Sequence, residues 1–146
     1  MKQTPNFKIS WLIQHKLLAL THFHSDITQN DIQGVITQAN QLLVSVNKTF
    51  HLLIDNRQAP MSKLFTLEDL QKVNPMFKQP LLHWVVVVKP NHLTLGLEDT
   101  SIQSSDDVEL KNVVTVLDGI DFLESRQAID RSMIEDRFFF PRVEIT

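Results

Sequence analysis

The chain has 146 residues, 42% of them hydrophobic and 21% charged, which is the size and composition of one ordinary globular domain. Its 14 basic and 17 acidic side chains leave a net charge of −3, which argues against a dedicated nucleic-acid binder, since such proteins carry a basic excess on one face. With no cysteine present, disulfides, thiolate catalysis and cysteine–zinc sites are excluded.

Met1–Phe7 holds one lysine and no apolar centre, a poor secretory signal. Phe7, Ile9, Trp11 and Ile13 then alternate with Lys8, Ser10, Leu12 and Gln14, the period of two of a half-buried strand. Leu17–Leu20 is continuously apolar, as in a strand covered on both faces. The link His15-Lys16 lacks Asn-Gly or Asp-Gly chemistry, so a tight hairpin is allowed but not demanded. Next, Ile32, Val35, Ile36, Ala39, Leu42, Leu43 and Val46 recur every three or four residues and form one stripe of a helix. Thr28 is its expected N-cap, and Asp31 puts a carboxylate in the positive first turn.

Phe50–Ile54 reads as a strand ending at Asp55-Asn56. Thr66 repeats the Thr-x-x-Asp pattern with Asp69, and Leu67, Leu70 and Val73, with Phe77 as an optional extension, predict a second, shorter helix that Asn74-Pro75 bends or ends. Pro80 opens the strongest strand, Leu81–Val88, rich in β-branched residues. It is apolar on both sides: simple alternation puts Leu82, Trp84, Val86 and Val88 on one, and Leu81, Val85 and Val87 on the other. Residues 93–102 fit either element and are taken as a crossover helix. A polar loop over 104–107, a strand over 113–117 and a helix capped by Asp118 and running to about Met133 complete the pattern. The tail, residues 133–146, is apolar at Phe138–Phe140.

Alternating strands and helices predict an α/β fold. It is read as a single domain over 1–146, with about five strands, mostly parallel, an antiparallel amino-terminal edge strand, and helices mainly on one face. The other face of Leu81–Val88 then needs a cover, assigned to the folded-back tail or to a second subunit. The longest unbroken apolar run, Trp84–Val88, is far short of the roughly 20 residues of a membrane helix. A cytoplasmic location with no membrane-spanning segment is therefore the expectation.

Three stretches in this order carry a family resemblance: the strand Leu17–Thr21 leading to Asp26-Ile27-Thr28-Gln29-Asn30-Asp31 at a helix start; Phe50-His51-Leu52-Leu53-Ile54-Asp55; and Leu82-His83-Trp84-Val85-Val86-Val87-Val88. Over residues 7–132 the chain resembles the STAS family of bacterial anti-sigma-factor antagonists and its SEC14-like relatives. The resemblance implies a compact α/β module that works by protein contact rather than catalysis, with lipid or nucleotide binding in related domains. It also implies a phosphate acceptor after the strand ending in Asp, where the family carries Asp-Ser-Ser/Thr-Gly. Here Asp55 is followed by Asn56-Arg57-Gln58-Ala59-Pro60-Met61-Ser62-Lys63, so that motif is absent and the nearest hydroxyls are Ser62 and Thr66.

Ser62 is accordingly the candidate phospho-switch, with Lys63 favouring the phosphate and Glu68 and Asp69 opposing it. Asp55, Asn56, Arg57, Ser62 and Thr66 form the candidate partner or ligand loop. His22 and His24 sit two apart, with Asp26 close behind, a spacing that can ligate zinc, but a full ligand set is not in evidence, and exposed strand-end histidines are the simpler account. Asp55 with His51 or His83 is the one acid–base pairing available, and no nucleophile motif accompanies it; a strand-end Asp more often caps the following turn. No catalytic residue, metal or cofactor is assigned. The partner is expected to be a protein, through contact or self-association, or a small apolar ligand held among large residues such as Phe65, Phe77 and Trp84.

Overall fold

The computed structural model describes residues 6–23, 28–56, 67–88 and 102–134. These form β1 (Phe7–Ile13), β2 (Leu17–His22), α1 (Gln29–Leu43), β3 (Phe50–Asp55), α2 (Leu67–Val73), β4 (Leu82–Val88), β5 (Gln103–Ser105), β6 (Val108–Val113) and α3 (Val116–Ser125), with 3₁₀ turns at Pro75–Lys78 and Arg131–Met133. The fold is α/β, built on one six-stranded mixed sheet in the order β1-β2-β3-β4-β6-β5. β2, β3, β4 and β6 run parallel, while β1 and β5 add antiparallel margins.

α1 starts where the sequence places it. Thr28 Oγ1 accepts from the Asp31 N–H at 3.1 Å and the Asp31 carboxylate accepts from the Thr28 N–H at 2.9 Å, a reciprocal capping box. Val35 and Ala39 carry the stripe into the core, with Leu42, Leu43 and Val46 packed at its margin. Gly34 lets the helix lie against β1, because a Cβ there would meet the Phe7 ring at 2.8 Å.

Helices cover both faces of the sheet. α1, α2 and the Pro75–Lys78 turn cover the face presenting Leu18, Leu20, Leu52, Ile54, Val85 and Val87. α3 covers the other, where Val116, Ile120 and Leu123 meet Leu53, Trp84 and Val86. The cover that sequence reasoning assigned to the tail or a second subunit is thus supplied by α3. The Phe138–Phe140 tail itself lies outside the described residues, as does the predicted helix over 93–102 except for its last residue, Ile102.

Two register slips alter the predicted facing. Between β3 and β4, Phe50 pairs with Leu82 but Leu52 pairs with Val85, so β4 carries one extra residue. Leu82 therefore joins Val85 and Val87 instead of Trp84. A similar slip in β1 between Trp11 and Ile13 turns both Leu12 and Ile13 toward the α3 face.

The carboxyl-terminal third departs from the sequence reading. The strand is Val108–Val113, where Val108 and Leu110 are buried and Glu109 and Lys111 are half-buried, and it shares only Val113 with the strand expected over 113–117. The rest of that stretch leads into α3. Thr115, rather than Asp118, is its N-cap, with Oγ1 accepting the Asp118 N–H at 2.9 Å. α3 stops at Ser125, where Gln127 takes φ 58°, instead of reaching Met133. The polar 104–107 stretch closes a hairpin: Asp106 and Asp107 have φ of 53° and 67°, the left-handed pair that a two-residue I′ turn requires. β5 is tied to α2 by Leu67 N–H donating to Gln103 Oε1 at 2.8 Å and by Ser105 Oγ donating to Gln71 Oε1 at 2.9 Å.

Candidate functional site

In open parallel sheets, ligands and partners gather at the carboxyl ends of the strands, where loops converge and the ladder stops. Here that rim is built from the last residues of β2, β3 and β6. Thr21 and Asp55 are register partners, and Thr21 Oγ1 donates to the Asp55 carbonyl at 3.0 Å, which locks the two strand ends together. Asp55 is 4% exposed. Asn56 extends the ladder by one step, its N–H donating to the Val88 carbonyl at 3.0 Å.

Three buried side-chain atoms stand on this rim: His22 Nδ1 and Asn56 Oδ1, whose side chains are hydrogen-bonding neighbours, and Asn112 Nδ2, which has no hydrogen-bond partner among the described residues. The strand period of two puts His22 with Leu20, Asn56 with Ile54 and Asn112 with Leu110, all on the face covered by α1 and α2. A buried polar group without a partner costs about 1–3 kcal/mol, a cost that falls here on Asn112 Nδ2. Burial also holds the His22 imidazole below its ordinary pKa; the neighbouring Asn56 side chain and the Asp31 carboxylate oppose that shift without reversing it. His22 is 9% exposed and is therefore a neutral, hydrogen-bonding ring near neutral pH. Asp31, at the start of α1, is held below the usual carboxylate range, first by the Thr28 N–H.

Asp55 and Asn56 of the predicted contact loop thus stand on the rim. Arg57, Ser62 and Thr66 lie outside the described residues, as do Lys63, Phe65, His24, Asp26 and His92. The proposed pairing of Asp55 with His51 or His83 does not form. Asp55 ends β3, whereas His51 is the second residue of that strand and His83 the second of β4. Four steps along the strand separate Asp55 from His51, about 13 Å. No group of three or more His, Asp or Glu side chains among the described residues could hold a metal ion.

His51 and His83 belong to a different assembly, at the amino ends of the strands. His51 Nδ1 accepts the Trp84 N–H at 3.2 Å, so its proton resides on Nε2. Burial, helped by Lys16 and His83, lowers its pKa to about 4. His83 stacks on Trp84 at 5.1 Å, and its Nε2 lies 3.5 Å from Glu109 Oε1. Trp84 meets Phe122 of α3 edge-on at 5.0 Å, and the Arg126 guanidinium lies 5.6 Å from the Trp84 ring and 5.1 Å from the Phe122 ring. Only α3 returning across β4 brings this ladder together. The rim atoms Asn56 and Asn112 were legible in advance only as polar residues closing or interrupting apolar strands.

Beside the amino ends, an open groove of about 540 Å³ lies between the β1–β2 turn and the chain after α3, where Ile13, Ala128, Ile129 and Met133 share the wall with charged Lys16, Glu124 and Asp130. No described helix is long and apolar enough to cross a membrane. No family model, curated protein or solved structure matches the chain.

Proposed function

We propose that the chain is a non-enzymatic, STAS-like regulatory module that recognises a protein partner through the carboxyl rim of its sheet. The observation that carries this reading is the polar cluster of His22, Asn56 and Asn112 on one face of that rim, beside the connection that leaves Asp55. The reading is further supported by the connection from β3 to α2, which contains Ser62 and Thr66 in the place where the resembled family carries its phosphate acceptor. Ser62 is the proposed acceptor, and Asp55, Asn56, Arg57 and Thr66 the proposed contact residues.

The test is affinity capture with quantitative mass spectrometry, using the intact chain, a chain with residues 57–66 replaced by a neutral linker, and Asn112→Leu. One protein retained by the intact chain and lost from both variants supports the reading. Equal retention by all three overturns it.

A small ligand with an apolar part is the second reading, for which the groove offers Ile13, Ala128, Ile129 and Met133 beside charged Lys16, Glu124 and Asp130. It lies at the amino ends, away from Asp55. Native mass spectrometry of gently purified protein tests it: a discrete added mass that Ala128→Trp abolishes supports a ligand, and a bare chain mass counts against one.

A further inference from the structure

The register slip in β4 re-aims side chains at the amino ends of the strands. Because Phe50 pairs with Leu82 and Leu52 with Val85, His51 stands opposite both His83 and Trp84. Those two consecutive side chains share the α3 face, as the paired residues of a bulge do. Three rings meet there: His51 and His83 lie 5.9 Å apart, and His83 stacks on Trp84 at 5.1 Å, within 18° of parallel. The His83 side chain is 43% exposed, so ring surface stays open at the edge of the stack. Two polar groups in this cluster are fixed in place yet unpaired. His51 is 3% exposed, and because Nδ1 accepts the Trp84 N–H, its hydrogen is on Nε2; that N–H has no hydrogen-bond partner among the described residues. Arg126 lies over the Trp84 and Phe122 rings, with its main chain pinned as the C-cap of α3. Its guanidinium has no ion pair among the described residues, whereas Arg131, further along the chain, is clamped by Asp121 and Glu124.

We infer that this bulge-built cluster binds a small organic anion carrying a planar ring. Arg126 pairs with the oxyanion, the open edge of the His83–Trp84 stack takes the ring, and the His51 Nε2–H is a second donor. The local charge suits an anion. Lys16 stands close enough to His51 to lower its pKa, and Lys111 Nζ lies 5.9 Å from the Phe122 ring, while the acid in contact with the stack is Glu109, 3.5 Å from His83. In a chain of net charge −3, cations gathered on one aromatic platform are a local reversal of sign. The guanidinium is planar and presents paired N–H donors that match a carboxylate or a phosphate, and the rings beneath it hold it ready, so less freedom is lost on binding. A neutral buried imidazole adds a donor whose proton stays in place near neutral pH. Carboxylate and phosphate share this chemistry. The site is at the end of the sheet opposite the carboxyl rim, so it stands independently of the partner proposed there.

Isothermal titration calorimetry of the intact chain at fixed salt tests this with four probes: naphthoate, naphthyl phosphate, neutral naphthalenemethanol, and decalin carboxylate, which lacks a planar ring. The two aromatic anions bind, and the tighter of them identifies the preferred oxyanion. The neutral alcohol and the saturated acid bind about tenfold more weakly or not at all. Arg126→Gln removes the charge from an exposed side chain and weakens the aromatic anions about tenfold. His51→Asn keeps the acceptor for the Trp84 N–H, removes the Nε2–H and weakens them by a smaller factor. Arg131→Gln removes an equal charge from the clamped arginine and binds like the intact chain, which separates a local contact from general attraction. Absence of binding by both aromatic anions at millimolar concentration overturns the inference. So does naphthalenemethanol binding as tightly as naphthoate, or Arg126→Gln binding like the intact chain. Circular dichroism confirms that each variant is folded.

Discussion

His51 accepts the main-chain N–H of Trp84 across the register slip between β3 and β4, at 3.2 Å, and so closes the gap that the extra residue in β4 opens in the ladder. Only the neutral ring with Nδ1 unprotonated can do this. The folded pKa of about 4 lies below the ordinary histidine value of 6.5, first because the ring is buried and then because Lys16 and His83 stand nearby. The folded protein therefore holds the proton less readily than the unfolded chain. Stability from this group is complete above the unfolded pKa and falls as the pH drops from 6.5 toward 4. His22, also lowered, acts in the same direction.

Urea unfolding then shows a loss of about 2 kcal/mol between about pH 7 and pH 5. His51→Asn keeps an acceptor near the Nδ1 position and removes the titration. It flattens most of that dependence while costing little at pH 7. A variant with the same pH slope as the intact chain would place the titration elsewhere.

Gly119 sits on the buried side of α3, where a Cβ would meet Val86 at 3.0 Å, Leu53 at 3.3 Å and Val113 at 3.4 Å. Gly119→Ala gains up to about 1 kcal/mol of helix propensity but overpacks a junction of three core side chains, which costs about 1–3 kcal/mol. A net loss of about 1 kcal/mol is expected from denaturant midpoints. Adding Val86→Ala relieves the crowding, so the double variant is more stable than the sum of the two single effects.

Asn112→Leu removes the unpartnered rim atom and fills its place with an apolar side chain. The isolated protein is expected to gain about 1 kcal/mol while partner capture falls. A loss of stability would mean that Asn112 is already satisfied within the fold.

Thr115 marks the true start of α3. Thr115→Ala costs about 1 kcal/mol, whereas Asp118→Asn, at the position the sequence suggested as the cap, costs a few tenths of a kcal/mol through the helix dipole alone. Thermal unfolding of the two single variants separates these assignments.

The elements legible in the sequence were those in which pattern and chemistry agreed. The Thr28–Asp31 cap, the stripe through Val35 and Ala39, and the apolar strand ending at Val88 all emerge as read. In the carboxyl-terminal third the signals conflict: β propensity at Val113, Val114 and Val116 competes with the cap formed by Thr115 with Asp118, and the shorter alternation of Val108 and Leu110 with Glu109 and Lys111 is the one that forms the strand. Asp106-Asp107 gave no glycine to announce a hairpin. At the candidate site, Asp55 and Asn56 stood out as a strand end. The slip that sends His51 toward Trp84, and the alignment of Asn112 with the rim, depend on pairing between strands distant in sequence, which local patterns do not encode.

The two antiparallel margins of the sheet are each acquired through a tight local turn, while its four central strands meet only after crossovers far along the chain. Short loops close fast and distant ones slowly. The β1–β2 and β5–β6 hairpins are thus expected to form early, and the rate of folding is set by the docking of β3 and β4 between them. Core substitutions in β3 and β4 should then slow refolding, whereas changes at Asp106 or Asp107 should act mainly on the rate at which the finished domain comes apart.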